Sequence, residues 1–274
     1  MRTEARGLSD MDFTLSEQQI ALQQSVRKFA QQELPAIAKQ IEESDEPPGI
    51  ELRKRYAELG YLGVNLDEKY GGAGMSHLDA VIVLEEIAKI SIAVAFPIFE
   101  SCFGPSLAIA HFGSDRLREK FLPRVCSGEI VVAVSMSEPN AGSALTDLTT
   151  QAQVESGRVI INGNKRWIGN STHGDYIILW ARNTETKKVQ GFVVDLHSEG
   201  ITKVKIEGKM ALRSVQNGDL EFKDVFVPAD AKLAKADDFA TGANEILKAS
   251  RINVAWAAVG ASIGSYDACI KYVT

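Results

Sequence analysis

The segment IVVAVSMSEPNAGS, Ile130 to Ser143, decides how the chain divides. Its first half is short and β-branched, a strand signal. Its second half gathers Pro139, Asn140 and Gly142, all turn formers, with hydroxyls at Ser137 and Ser143. Before it the chain reads helical; after it, as far as about Pro228, no helical period of useful length appears. The turn itself has two readings. It reverses the chain and nothing more, or its successive N–H groups form an anion-binding nest to which Gly142 gives close backbone access.

Upstream, Thr14-x-x-Glu17 predicts a capping box. Leu22, Val26 and Phe29 then recur at helical spacing, and Pro35 predicts a stop. Leu52, Tyr56 and Leu59 repeat the spacing, with Gly60 as the C-terminal cap. Ser76-x-x-Asp79 opens HLDAVIVLEEIAKI, and Ser114 opens DRLREKFLPRV with Leu117, Phe121 and Val125 on one face. The most apolar run, Ile90 to Gly113, is interrupted by Pro97, Glu100, Gly104, Pro105 and His111. A membrane span needs about 20 mostly apolar residues in a row, so buried helices are expected. YGGAGMS, Tyr70 to Ser76, follows no strand and lacks both the dinucleotide fingerprint and the P-loop lysine; a tight loop is expected.

Downstream come TQAQVE, GRVIINGNKRWIGN, YIILWAR, QGFVVDL, ITKVKI, GDLEF and VFVP, separated by turn chemistry. Asn162-Gly163 and Asn217-Gly218 read as hairpin turns. From Thr241 a helical pattern returns and reaches Thr274 without a stop signal. Ile246, Ala249, Asn253, Trp256 and Gly260 fall on one side, and the small residues predict a tight helix contact. The expected fold class is α+β: a tail at 1–11, a helical domain at 12–129, a middle antiparallel β domain at 130–240, and the first helix of a truncated C-terminal domain at 241–274.

The 274 residues carry a net charge of −6, with 45% hydrophobic and 24% charged residues. That is the balance of a soluble globular protein, and it argues against nucleic acid as the main partner. Three cysteines, odd in number and far apart, fit a reducing compartment. The four histidines lack metal-ligand spacing, so no metal is expected. MRTEARGLSD has no apolar core behind it and KYVT is no peroxisomal address, which gives a cytoplasmic, bacterial-type expectation. No nucleophile signature is present, so any chemistry is expected to come from a cofactor. Trp167 either packs in the core or walls a flat aromatic cofactor. Arg213 either holds an anion or is solvated. Arg251 lies on the apolar face of the last helix and is expected to have a partner or a phosphate nearby.

Taken together, these segments resemble the acyl-CoA dehydrogenase family. FTLSEQQ, YGGAGMS, KFLPRVCSGE, SEPNAGS, INGNKRWIGNS, QNGDLEFKDVFVP and SRINVAWAAVG occur in the family's order, from about Met11 to Thr274. RWIGNST with VQNGD looks most like the branch of glutaryl-CoA dehydrogenases and plant short-chain acyl-CoA oxidases. The resemblance implies helical, β and helical-bundle domains, with FAD between the last two. It implies α,β-dehydrogenation of an acyl-CoA thioester in fatty acid or amino acid catabolism. Electrons would pass to an electron-transfer flavoprotein, or to oxygen in an acyl-CoA oxidase.

Residue by residue, Val134, Met136, Ser137, Gly142 and Ser143 match the strand and loop that hold the flavin and its phosphates. Trp167, Ile168 and Gly169 match the segment on the isoalloxazine ring. Ser143 and Arg251 match positions near the CoA path, and Phe99 and Glu100 the floor of the acyl pocket, where a carboxylate would disfavour a long apolar tail. Ile92 stands at the nearest match to the arginine of glutaryl-CoA enzymes, which argues against a dicarboxylic substrate. Ala144 replaces an acid after the Gly-Ser pair. The family's chain continues beyond residue 274, where its usual catalytic glutamate lies, and the minority position for that base is Ser250 here. No catalytic residue is therefore assigned. A second expectation follows: a truncated, non-catalytic paralogue or one subunit of a split enzyme, acting by homo- or hetero-oligomeric association.

Overall fold

A computed structural model describes residues 12–274; the tail at 1–11 lies outside them. Six helices fill the first half: α1 (Glu17–Ser44), α2 (Ile50–Glu58), α3 (His77–Ala88), α4 (Ile92–Cys102), α5 (Pro105–Phe112) and α6 (Asp115–Cys126). α1 is capped by Ser16, not by Thr14. The Ser16 hydroxyl accepts from Gln19 N at 3.2 Å, and the Gln19 side chain accepts from Ser16 N at 3.1 Å. Glutamine closes the box as well as glutamate does. α1 also runs through Pro35. The lost backbone bond is tolerated because Val26, Phe29, Ala30 and Leu34 before it and Ile41 after it are buried.

The predicted caps at Ser76 and Ser114 are both in place, and Gly60 follows α2 with φ +70°. The apolar run forms two core helices, α4 and α5, broken at Phe103–Gly104. Pro105 opens α5, where its missing N–H has no intrahelical partner to lose. Val94, Ala95, Ile98, Cys102 and Phe103 are fully buried. Each large side chain among them is worth about 1.5–3 kcal/mol by area.

Seven strands follow: β1 (Val132–Ser135), β2 (Gln151–Glu155), β3 (Arg158–Gly169), β4 (Tyr176–Asn183), β5 (Val189–Asp195), β6 (Ile201–Lys205) and β7 (Asn217–Pro228). They form one sheet in the order β1-β4-β2-β3-β7-β6, with β5 on β4. The sheet is mixed: β1·β4 and β2·β4 are parallel, the other pairings antiparallel.

Neither Asn-Gly pair makes a hairpin. Asn162–Gly163 lies inside β3, at a register shift against β7. There Asn162 exchanges two side-chain hydrogen bonds with Asp224, at 3.0 and 2.9 Å. A Cβ on Gly163 would stand 2.6 Å from Thr150 Cα, so the glycine serves close strand approach, not a turn. Asn217–Gly218 begins β7, in which GDLEF and VFVP are one strand.

α7 (Ala243–Val273) returns to pack on α3. Its buried face is Ala243, Ile246, Asn253, Ala257 and Gly260. Trp256, expected on that face, is exposed, because Ala257 takes the inward direction one turn before Gly260. The crossing is tight. A Cβ on Gly260 would come within 2.6 Å of Glu85 O, and one on Gly264 within 1.9 Å of Lys89 O. Gly260→Val is expected to destabilise the chain by about 1–3 kcal/mol through overpacking, measured by urea unfolding, with hydrogen exchange quickened in α7 and α3.

Candidate functional site

Two segments meet where β1 and β3 end. The first leaves β1 at Ser135 and runs through Met136 and Ser137 to the turn at Glu138–Ala141, a tight pair of backbone hydrogen bonds at 2.9 and 3.2 Å. The second is the end of β3. They are joined by Arg166 N donating to Ser137 O at 2.9 Å and by Lys165. The Lys165 ammonium is fully buried and donates to Met136 O and to Glu138 Oε1, each at 3.0 Å. Burial pushes the Glu138 carboxyl up, but Lys165 and the hydrogen bonds from Thr149 and Thr150 outweigh it. They hold the group down at about 2.

β3 loses its register against β7 between Lys165 and Ile168. This bulge turns Trp167 outward with φ +64°, leaves it 55% exposed, and sends Ile168 into the core. Asn217 fixes the bulge by donating to Trp167 O at 2.8 Å. Lys209 in turn donates to Asn217 Oδ1 at 2.5 Å. The Arg166 guanidinium lies over the indole, 5.4 Å from its centroid, and with the ring this exposed the core-packing reading of Trp167 fails. Gly142 and Ser143 are exposed, and a Cβ on Gly142 would meet nothing within 4 Å. Among the described residues, the N–H groups of Gly142, Ser143 and Ala144 have no hydrogen-bond acceptor. They are free donors for an anion. Val134 and Ser137 are half-buried and Met136 is buried beneath them.

Gly169 touches a second feature. Its nearest neighbours include Val215 and Phe96. Phe96 stacks on Phe99 at 5.7 Å between ring centroids. Both line an apolar cavity of about 160 Å3, with Ile92, Ala95, Leu212 and Val254 also on its wall. Glu100 is not on it. One residue further round α4, it points the other way, into a buried ion pair with Arg53 Nη2 at 2.7 Å, and it also bonds Asn170. It clasps the helical domain to the end of β3 instead of flooring the cavity. Among the described residues, no carboxylate lines the cavity.

Arg251 is exposed, not buried. It stands three residues before Val254 and seven before Ala258, on the side of α7 that reaches the cavity. An exposed guanidinium there can meet an anion at the cavity's edge. Ser250 is committed to the backbone, donating to Ile246 O at 2.8 Å. Arg213 is also committed. It pairs with Glu42 at 2.8 Å and Asp45 at 2.7 Å, tying the β6–β7 loop to the end of α1.

Glu138, Lys165 and Asn217 lie inside the quoted motifs but were not picked out as candidate site residues. Lys165 carried a signal: it is in phase with Val159 and Ile161 along β3, and a lysine at an inward position demands a buried acceptor. The bulge that exposes Trp167 carried none.

Residues 16–129 match the acyl-CoA dehydrogenase N-terminal domain, and residues 133–225 the acyl-CoA dehydrogenase middle domain. Mitochondrial isovaleryl-CoA dehydrogenase of Pongo abelii is 34% identical over 221 residues, 78% of this chain and 52% of that protein. Glutaryl-CoA dehydrogenase of Desulfococcus multivorans is 31% identical over 268 residues, 96% of this chain and 69% of that protein. Among solved structures, a glutaryl-CoA dehydrogenase from Mycobacterium smegmatis in complex with FADH2 superposes with a TM-score of 0.88. It is 27% identical and covers 97% of this chain, which spans 67% of it. The chain thus spans about half of the first of these relatives and about two thirds of the others.

The Glu138 shift fixes a pH dependence. A carboxyl held below its ordinary value stabilises the fold above that value, and the contribution is lost as pH falls toward about 2. Glu138→Gln is expected to flatten the acid limb of stability between about pH 4.5 and 2. Thermal unfolding across that range, against wild type, reads it.

Proposed function

The chain belongs to the acyl-CoA dehydrogenase family, and on that premise we propose that it binds FAD and a short, apolar acyl-CoA thioester for α,β-dehydrogenation. The observation that carries the reading is the juxtaposition of three surfaces. They are the N–H groups at Gly142–Ala144 that lack an acceptor among the described residues, the exposed Trp167 wall, and the apolar cavity reached two residues on, where Gly169 lies against Phe96. The residues fit FAD: Met136, Ser137, Gly142 and Ser143 would hold its phosphates and ribityl chain, and Trp167, with the backbone of Ile168 and Gly169, would face its ring. When bound, FAD supplies the two-electron acceptor chemistry, and an electron-transfer flavoprotein is the proposed next acceptor.

The chain's own residues do the rest. The bulge at Trp167 presents the flat wall. Phe96 and Phe99 keep water from the acyl group. Arg251, on the cavity side of α7, meets a CoA phosphate. The cavity is close in size to the roughly 150 Å3 apolar cavity that accommodates benzene, so an acyl group of about four to six carbons is the proposed class. Its wholly apolar lining opposes a distal carboxylate, in agreement with Ile92 on its wall.

A second reading rests on a separate observation. Among the described residues, no carboxylate lines the cavity, and Ser250 is tied to Ile246 O. A general base needs a free acceptor within hydrogen-bond reach. The chain would then bind the cofactor and ester without dehydrogenating alone, acting through association. The exposed apolar residues of α7, Ile252, Val254, Val259 and Ile270, support that arm.

Titration of the purified chain with FAD, then anaerobically with butyryl-, isovaleryl-, glutaryl- and palmitoyl-CoA, tests both. The short apolar esters are expected to bind at least about tenfold more tightly than glutaryl-CoA, a difference of about 1.4 kcal/mol. Bleaching of the flavin marks dehydrogenation, and binding without bleaching marks the second reading. Equal affinity for glutaryl-CoA would sink the substrate class. Arg251→Gln is expected to weaken all the esters alike, with the loss shrinking as salt rises.

A further inference from the structure

The loop between β1 and β2 is tied down at both ends and free at its tip. At its start, Met136 O and the Glu138 carboxylate both accept from Lys165 Nζ at 3.0 Å. At its end, the same carboxylate accepts from Thr149 N at 2.6 Å, the Thr149 hydroxyl at 2.8 Å and Thr150 N at 2.9 Å. One buried carboxylate therefore closes the loop on itself, and one buried ammonium on β3 holds that closure to the sheet. The Thr150 hydroxyl adds a bond to Asn164 O at 3.2 Å. On the outer side Arg182 donates to Leu148 O at 3.2 Å and Thr146 O at 2.5 Å. Between these anchors, Asn140 and Gly142 to Ala144 are exposed.

A buried ion pair is a poor way to gain stability, since apolar residues of the same volume do as well or better. Its worth lies in fixing geometry. A loop of this length left untethered would lose about 1–2 kcal/mol of backbone entropy per residue on ordering around a ligand. With both ends fixed, that loss is taken during folding, and the exposed tip keeps N–H groups that have no acceptor among the described residues.

We propose that Lys165 and Glu138 are positioning residues for the cofactor loop: together they pre-order Ser137–Thr150 so that the free N–H groups of Gly142, Ser143 and Ala144 receive the FAD phosphates without rearrangement. The inference rests on the reading that this loop holds FAD, but the ordering of the loop is a property of the chain alone.

The test compares wild type with the charge-neutral double variant Lys165→Met/Glu138→Gln. Hydrogen exchange of the ligand-free chain reads the loop, circular dichroism and thermal unfolding read the fold, and fluorescence titration reads the FAD Kd. In the double variant the helical signal and Tm are expected to hold within a few degrees. The amides of residues 140–149 are expected to exchange at least about tenfold faster, and the FAD Kd to rise at least about tenfold. Unchanged loop exchange and unchanged Kd overturn the proposal. So does a lowered Tm with exchange quickened evenly over the sheet, the mark of a pair that only stabilises. If the double variant does not fold, the single variant Glu138→Gln must show the same two changes, and its failure to do so overturns the proposal equally. If wild type binds no FAD, the functional reading falls by itself, and loop exchange still decides whether the pair orders the loop.

Discussion

The last five residues of β3, Lys165 to Gly169, carry the constraint on which the rest of the site depends. Lys165 must be buried and charged, and β3 can satisfy it only if Met136 and Glu138 lie directly against it. That demand fixes where the β1–β2 loop sits. Two residues on, the bulge reverses the alternation of the strand, so Trp167 faces solvent and Ile168 the core. Without the bulge, period two would bury Trp167 in phase with Lys165, and the loop would have no flat neighbour. Backbone strain of about 1–3 kcal/mol attends a non-glycine residue at positive φ. The Asn217 bond to Trp167 O offsets part of it.

The same strand end connects the β domain to the helices. Asn170, also at positive φ, bonds Glu100, which is paired with Arg53 on α2. Gly169 rests against Phe96. The wall and the cavity therefore share a rigid reference. A shift of α4 moves Phe96 and Phe99 and is resisted by the Arg53–Glu100 pair, whose separation would leave two buried charges unmatched, at about 3–5 kcal/mol. On the far side, the Arg213 pairs with Glu42 and Asp45 hold the β6–β7 loop that carries Leu212 to the cavity.

Much of this was legible in the residues. The change from helix to strand at Ile130, the caps at Ser76 and Ser114, and the tight crossing marked by small residues in α7 all follow from local rules, and local rules suffice there. They failed where tertiary packing overrode them. Pro35 reads as a stop, yet burial on both sides carries α1 through it. Asn162-Gly163 reads as a turn, but Asp224 and Thr150 claim its side chain and its space. Glu100 was placed beside Phe99 on the cavity floor. Adjacent helical residues diverge by about 100°, and a partner as strong as Arg53, 47 residues away, cannot be read from spacing. Arg251 was placed on the apolar face of α7, but that face turns on Ala257 and Gly260, leaving the guanidinium exposed.

What SEPNAGS does follows from this contrast. Its composition belongs to any turn, and nothing in Pro139, Asn140 or Gly142 separates a ligand loop from a chain reversal. The distinguishing residue is Glu138, hidden inside the motif. Its carboxylate spends every acceptor site on groups of its own chain: Lys165, Thr149 and Thr150. A turn that only reversed the chain would have no need of a buried charge, since two backbone bonds between Glu138 and Ala141 already close it. On the proposed reading, what lies outside the closure explains the buried charge: exposed N–H groups at Gly142–Ala144 that have no acceptor among the described residues.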